Sequence, residues 1–323
     1  MTKPLVLAVP SKGRLQEQAN AFFARAGLDM VQARGARDYR GKLAQLPGIE
    51  IAFLSASEIV SQLAAGTVHL GVTGEDLVRE NVADAGAKLE LLTPLGFGHA
   101  NVVVAVPTAW IDVRGMADLE DVAGAFHARR GMRMRVATKY VNITRRAFAA
   151  HGVTDYRIVE CLGAPEGAPG AGQAELIVDI TTTGATLAAN ALKVLEDGVL
   201  LRSQANLVAS LGADWNAAAR EQARKILARI AAEEEARTTR ELQVQGLPDA
   251  PELVAEACAT FGASLRGRSR DGLVGLSAHK DRVADLADWL LSKGAERVGV
   301  AAMENVFGAP NVLWERLAGR IGA

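Results

Sequence analysis

Two cysteines in 323 residues are too few for a disulfide framework, and neither Cys161 nor Cys258 stands in a CxxC pair or beside a histidine at zinc-ligand spacing. Both read as buried thiols. Long apolar runs are missing as well. No stretch approaches the roughly 18 uncharged apolar residues that a membrane-spanning helix needs, and Met1 to Pro4 lead into a strand-like run with no apolar signal core. A cytoplasmic location is the expectation. Charge of one sign is also lacking: 36 Lys and Arg stand against 37 Asp and Glu, so the chain as a whole offers no nucleic-acid coat and no membrane-surface patch. The histidines (His69, His99, His127, His151 and His279) lack metal-ligand spacing and read as structural or surface residues. No Ser-His-Asp or Cys-His arrangement points to covalent catalysis.

What remains is an ordinary globular composition, 49% hydrophobic and 23% charged, with length for two or three domains that each own a core. Charge is unevenly spread. Residues 1–150 hold 18 Lys and Arg against 14 Asp and Glu, whereas residues 231–323 hold 11 against 14, so an anion belongs with the first half.

Strand, tight turn and amphipathic helix alternate along the first two thirds, which predicts an α/β architecture with mainly parallel sheets. LVLAVP (5–10), IEIAFLS (49–55), VVVAVP (102–107), MRVAT (134–138) and ELIVDI (175–180) read as strands. QEQANAFFARAG, residues 58–65, ITRRAFAAHG and TLAANALKVLEDG (186–198) read as helices. Residues 216–240, with the run Glu233-Glu234-Glu235, read as a solvated helical connector. Beyond it the order β-α-β-β-α-β predicts a ferredoxin-like module of roughly 80 residues, and the segment after Phe307 adds a further helix.

The most informative stretch is ELIVDITTTGATL (175–187), a buried strand that ends in an acid and passes through a hydroxyl-rich loop into a helix. Free N–H groups at such a helix start, with Thr181, Thr182, Thr183 and Thr186, form a phosphate cradle around Gly184 and Ala185. Asp179, at the carboxyl end of its strand, suits vicinal sugar hydroxyls. The threonines would serve equally as plain helix caps. Two other turns place cations in a first helical turn, against the macrodipole, unless an anion is received there: Lys12-Gly13-Arg14 and Asn142 to Arg146, the latter with Arg145, Arg146 and the upstream Lys139. Arg34, Arg37 and Arg40 cluster in a polar loop after the first helix. Thr73 and Gly74, in GVTGED, could line a ligand cleft or cap a helix.

These residues resemble the ATP phosphoribosyltransferases that begin histidine biosynthesis. Glu166, Gly172, Ala174, Ile177, Asp179, Ile180, Thr183, Gly184, Thr186 and Leu187 fall at the spacing of that family's signature, and SKGRL, LGVTGEDL, LGFGHANVVVAVP and ATKYVNITRRAF extend the likeness over about 210 residues. The resemblance implies two α/β lobes in the manner of periplasmic solute-binding proteins. Residues 1–96 and 196–225 would form lobe I and 97–195 lobe II, with crossings near Leu95 to His99 and Glu196 to Leu200, and 236–323 a ferredoxin-like regulatory domain. It also implies that adenine N1 of ATP displaces pyrophosphate from 5-phosphoribosyl 1-diphosphate, with Mg²⁺ on the leaving group. The threonine loop would hold the 5-phosphate, Asp179 and Glu166 the ribose, and Lys12, Arg14 and an arginine of the Arg34/Arg37 loop the pyrophosphate. Long members are inhibited by histidine through a ferredoxin-like domain, and a homo-oligomer, dimer or hexamer, is expected. SLRGRSRDGL and AMENVFGAPNVLWERL depart from the long form, and no histidine-binding residue is carried over. The rival readings are another phosphoribosyltransferase class, which typically has two adjacent acids where Val178 and Asp179 stand, and a non-catalytic solute-binding module of the same fold.

Overall fold

The computed structural model describes residues 3–32, 39–161, 163–248, 251–269 and 272–322. The first part of the chain runs β1 (Leu5–Pro10), α1 (Gly13–Arg25), β2 (Met30–Gln32), β3 (Arg40–Leu43), β4 (Ile49–Leu54), α2 (Ala56–Ala64), β5 (Leu70–Gly74), α3 (Glu75–Asn81), α4 (Ala85–Lys88) and β6 (Leu89–Pro94). A second group follows: β7 (Asn101–Pro107), α5 (Met116–Arg130), β8 (Met134–Thr138), α6 (Val141–Ala150), β9 (Tyr156–Glu160), β10 (Leu176–Thr181), α7 (Ala185–Ala189) and β11 (Leu192–Leu201). The chain then returns through β12 (Ala205–Ser210) and α8 (Ala217–Thr238). Last come β13 (Thr239–Gln245), α9 (Pro251–Phe261), β14 (Ser264–Arg268), β15 (Val274–His279), α10 (Val283–Ser292), β16 (Arg297–Ala301) and α11 (Val312–Ile321).

Three sheets result. The first has the order β2-β3-β4-β1-β5-β12-β6, the second β11-β7-β10-β8-β9 and the third β14-β15-β13-β16. β1 lies parallel to both β4 and β5, and its side chains are buried on both faces, as a strand between two helical layers requires. α1 turns Ala19, Phe22 and Phe23 into that core, and Gly27, at a φ of +65°, makes the turn that ends it. α2 begins two residues before the predicted start because Ser55 and Glu58 cap each other's backbone N–H groups.

The predicted helix over 186–198 is a correction. α7 stops at Ala189, the chain turns at Ala191 with a φ of +54°, and β11 runs antiparallel to β7, covering an edge that would otherwise be open. Leu192, Leu195 and Gly198 are buried three apart because the strand register shifts between Val194 and Val199, and that spacing imitates a helix. Residues 196–201 therefore belong to the second sheet, and the return crossing is 202–204 instead of 196–200. The forward crossing is 95–100.

α8 is no solvated connector. Ala219, Ala223, Ile226, Leu227 and Ile230 complete the first core, and Asn216 caps its start. Glu233 is buried with Arg25 Nε at 3.0 Å, whereas Glu235 holds Arg266 of β14 at 2.9 Å. The third sheet has the ferredoxin-like strand order, with Leu242, Val244, Leu276 and Leu286 buried beneath its helices. α11 returns to the first lobe, where Leu317 is fully buried, Arg316 donates to Leu92 O at 2.7 Å and Arg320 pairs with Glu90. Cys161 and Cys258 are half-buried at core margins and not fully enclosed. Among the described residues no helix is long and apolar enough to cross a membrane.

Candidate active site between the two lobes

β10 carries Asp179 in register with Val103 of β7, and its side chain leaves the strand end toward a hollow of about 380 Å³. Glu166, on the short 3₁₀ turn Pro165–Gly167, reaches the same hollow, as do Thr181, Thr182, Thr183, Ala185 and Thr186. Gly184 adopts a φ of +77° as the residue before α7, a conformation that favours glycine. The loop partly braces itself. Thr181 Oγ1 accepts from Gly184 N at 2.8 Å, and Thr182 Oγ1 donates to His99 O at 3.0 Å on the forward crossing. The capping reading and the cradle reading thus share these residues.

Asp179 is nearly buried, and its Oδ1 has no hydrogen-bond partner among the described residues. Lys139 Nζ lies 3.7 Å away, close enough for an ion pair but not for a hydrogen bond. Burial pushes the Asp179 carboxyl above its ordinary range. The Ile180 N–H and Lys139 pull against that rise, and the nearby Glu166 charge adds to it. A buried oxygen without a partner is costly and therefore uncommon, and this one, closed off from solvent, has the Lys139 ammonium as its compensation.

A second hollow, of about 370 Å³, is lined by Arg14, Leu15, Gln18, Gly96, Phe97, Gly98, His99 and Thr182. His99 and Thr182 line both, so the Asp179 loop of one lobe and Arg14 of the other line adjoining hollows. Lys12 stands exposed at the N-cap of α1 and Gly13 follows at a φ of +72°. Neither Lys12 nor Arg14 has a hydrogen bond or ion pair among the described residues. Arg34 and Arg37 lie outside the described residues.

Three expected contacts are built differently. Thr73 is fully buried and its hydroxyl donates to Ala56 O at 3.3 Å, so it faces the protein and not a ligand. Gly74 packs against the Asp76 carboxylate, which a Cβ would overlap. The first-turn amides of α6 already receive an anion from within the chain: Glu80 accepts from Asn142 N at 2.8 Å and Ile143 N at 2.9 Å. Arg146 donates to Arg79 O at 2.7 Å, and Arg145 is exposed. Lys139 alone of that group approaches Asp179.

Sequence reasoning missed His99 and Gln18. The dense glycines around His99, at 96 and 98, with φ values of +73° and +65°, were the available signal, because such backbone marks a shaped crossing and not a plain strand. His69 is structural as expected. Its Nδ1 accepts from Val6 N at 3.1 Å and its Nε2 meets Asp214 O at 3.0 Å, while burial lowers its pKa.

A family profile described as ATP phosphoribosyltransferase matches residues 55–232. The chain is 60% identical to the ATP phosphoribosyltransferase of Nitrobacter winogradskyi and 58% identical to that of Bradyrhizobium diazoefficiens, covering 98% of each chain in both cases. Among solved structures, the ATP phosphoribosyl transferase (HisG:HisZ) complex from Thermotoga maritima aligns with a TM-score of 0.53 at 25% identity, over 70% of this chain and 96% of that one. The chain belongs to the ATP phosphoribosyltransferase family.

Proposed function

We propose that the cleft joins 5-phosphoribosyl 1-diphosphate to ATP in the first step of histidine biosynthesis. The bond from adenine N1 to the anomeric carbon forms as the bond from that carbon to the diphosphate oxygen breaks, and the electron pair departs with pyrophosphate. N1 attacks through a lone pair, so the chain's task is to position two polyanions and receive developing charge. The observation that supports this reading is the hollow lined together by Asp179, Glu166 and the threonine loop, which shares His99 and Thr182 with the neighbouring hollow that Arg14 lines.

Asp179, with Glu166, accepts hydrogen bonds from the ribose hydroxyls, and the loop from Thr181 to Thr186 holds the 5-phosphate. Arg14, with Lys12 and an arginine from Arg34 and Arg37, stabilises the charge that develops on the diphosphate. Mg²⁺ bound to that diphosphate would offset its charge. Among the described residues no group of three His, Cys, Asp or Glu side chains could hold a metal of its own. The ferredoxin-like module takes histidine as a feedback signal, and the working enzyme is a homo-oligomer, a dimer or hexamer. Incubation with ATP, phosphoribosyl diphosphate and Mg²⁺ should raise near-ultraviolet absorbance as adenine is alkylated. Absence of product, also with a regulatory partner subunit added, would remove the proposal.

A further inference from the structure

α3 turns two buried carboxylates toward the second lobe, Asp76 and Glu80, one helical turn apart, and neither pairs with a cation among the described residues. Carboxylates are seldom buried without compensation, so what they grip is informative. Asp76 accepts the Tyr140 hydroxyl at 2.8 Å and the Ser203 hydroxyl at 2.9 Å, and its own N–H donates to Ser203 Oγ at 3.0 Å. Ser203 sits in the return crossing. Glu80 takes the Asn142 and Ile143 amides, and its carbonyl accepts from Asn142 Nδ2 at 2.9 Å. One face of α3 thus binds both the crossing and the start of α6.

The gripped segment begins one residue after Lys139, whose ammonium lies 5.3 Å from the Tyr140 ring centroid and 3.7 Å from Asp179 Oδ1. We propose that Asp76 and Glu80 are positioning residues for the phosphoribosyl half of the site: from the opposite lobe they clamp the turn 140–143, and so hold Lys139 against Asp179. The proposal rests on the assignment of Asp179 to the sugar. Two features fit it. Burial and the Asp76 charge push the Tyr140 hydroxyl far above its ordinary range, which keeps its proton in the bond. Residue 74 is a glycine where any Cβ would displace Asp76.

The test uses the full-length chain carrying Tyr140→Phe, Asp76→Asn, Glu80→Gln or Lys139→Met, and Tyr140→Phe combined with Lys139→Met. Tyr140→Phe keeps the ring in its core, so it reports even where a carboxylate variant fails to fold. It should raise KM for phosphoribosyl diphosphate roughly 10-fold, the order expected for one hydrogen bond to a charged group, while KM for ATP stays within about twofold. In the Lys139→Met background it should add nothing further, because it acts through that ammonium. Equal rises in both KM values, an unchanged KM with a lowered melting temperature, or full additivity with Lys139→Met would each overturn the proposal. Direct titration of the wild-type chain separates the two claims. No binding of phosphoribosyl diphosphate removes the assignment of Asp179, whereas normal binding with an insensitive Tyr140→Phe removes only the positioning role.

Discussion

The role proposed for Asp179 sets activity and stability in opposition. Its carboxyl is pushed above the ordinary value of 3.8, so the folded chain keeps the proton to higher pH than the unfolded chain does. Ionisation therefore costs stability as pH rises through that interval, while the ionised form is the one proposed to accept sugar hydroxyls. Asp179→Asn should lower kcat/KM for phosphoribosyl diphosphate about 10- to 100-fold, matching the loss of a charged hydrogen bond, and should leave the melting temperature unchanged or raise it. Steady-state kinetics beside calorimetry would check both. His69 has the opposite sign. Burial lowers its pKa below 6.5, so the unfolded chain binds the proton first. Stability contributed by neutral His69 is present above about pH 6.5 and falls as the solution is acidified below it, an effect that denaturant titrations from pH 7.5 to 5.5 should register and that His69→Gln should flatten.

At the scale of elements, what could be read in advance was whatever local chemistry alone decides. The burial of LVLAVP, the acid near the end of β10 and the glycine before α7 follow from the chain itself, and the acid lines one hollow with the threonines that follow it. What could not be read was set by distant partners. β11 looked helical because a register shift buries every third residue, and only the open edge of β7 explains why that segment extends. The anion at the start of α6 was sought outside the chain because Glu80 is 62 residues away from Asn142. α11 belongs to the same class: its amphipathic pattern predicts a helix, but its site is decided by α8 and β6. Leu317 is fully enclosed there, so Leu317→Ala should cost about 2–5 kcal/mol, measured as a lowered urea midpoint with an unchanged slope.

For the whole molecule, α11 changes where the module ends and the catalytic body begins. β13 leaves directly from α8, β16 pairs Ala301 with Glu241 next to that departure, and Val306 N donates to Ala232 O at 3.0 Å, so the chain returns where it left. The module is thus an insertion between α8 and α11, and α11 is part of the first lobe. Truncation after Arg237 removes Leu317, Trp314 and the Arg316 and Arg320 contacts along with the module, and uncovers the core beside Leu92. Replacing residues 241–301 by a flexible linker of roughly four to six residues, which spans on the order of 10–15 Å, removes the module and spares α11. The linker variant should keep the catalytic body's melting temperature and its turnover while losing any response to histidine, whereas the truncated chain should melt earlier. If the two melt together, α11 contributes no stability to the lobe; if the linker variant is still inhibited by histidine, the effector acts on the two lobes directly and the module serves another purpose.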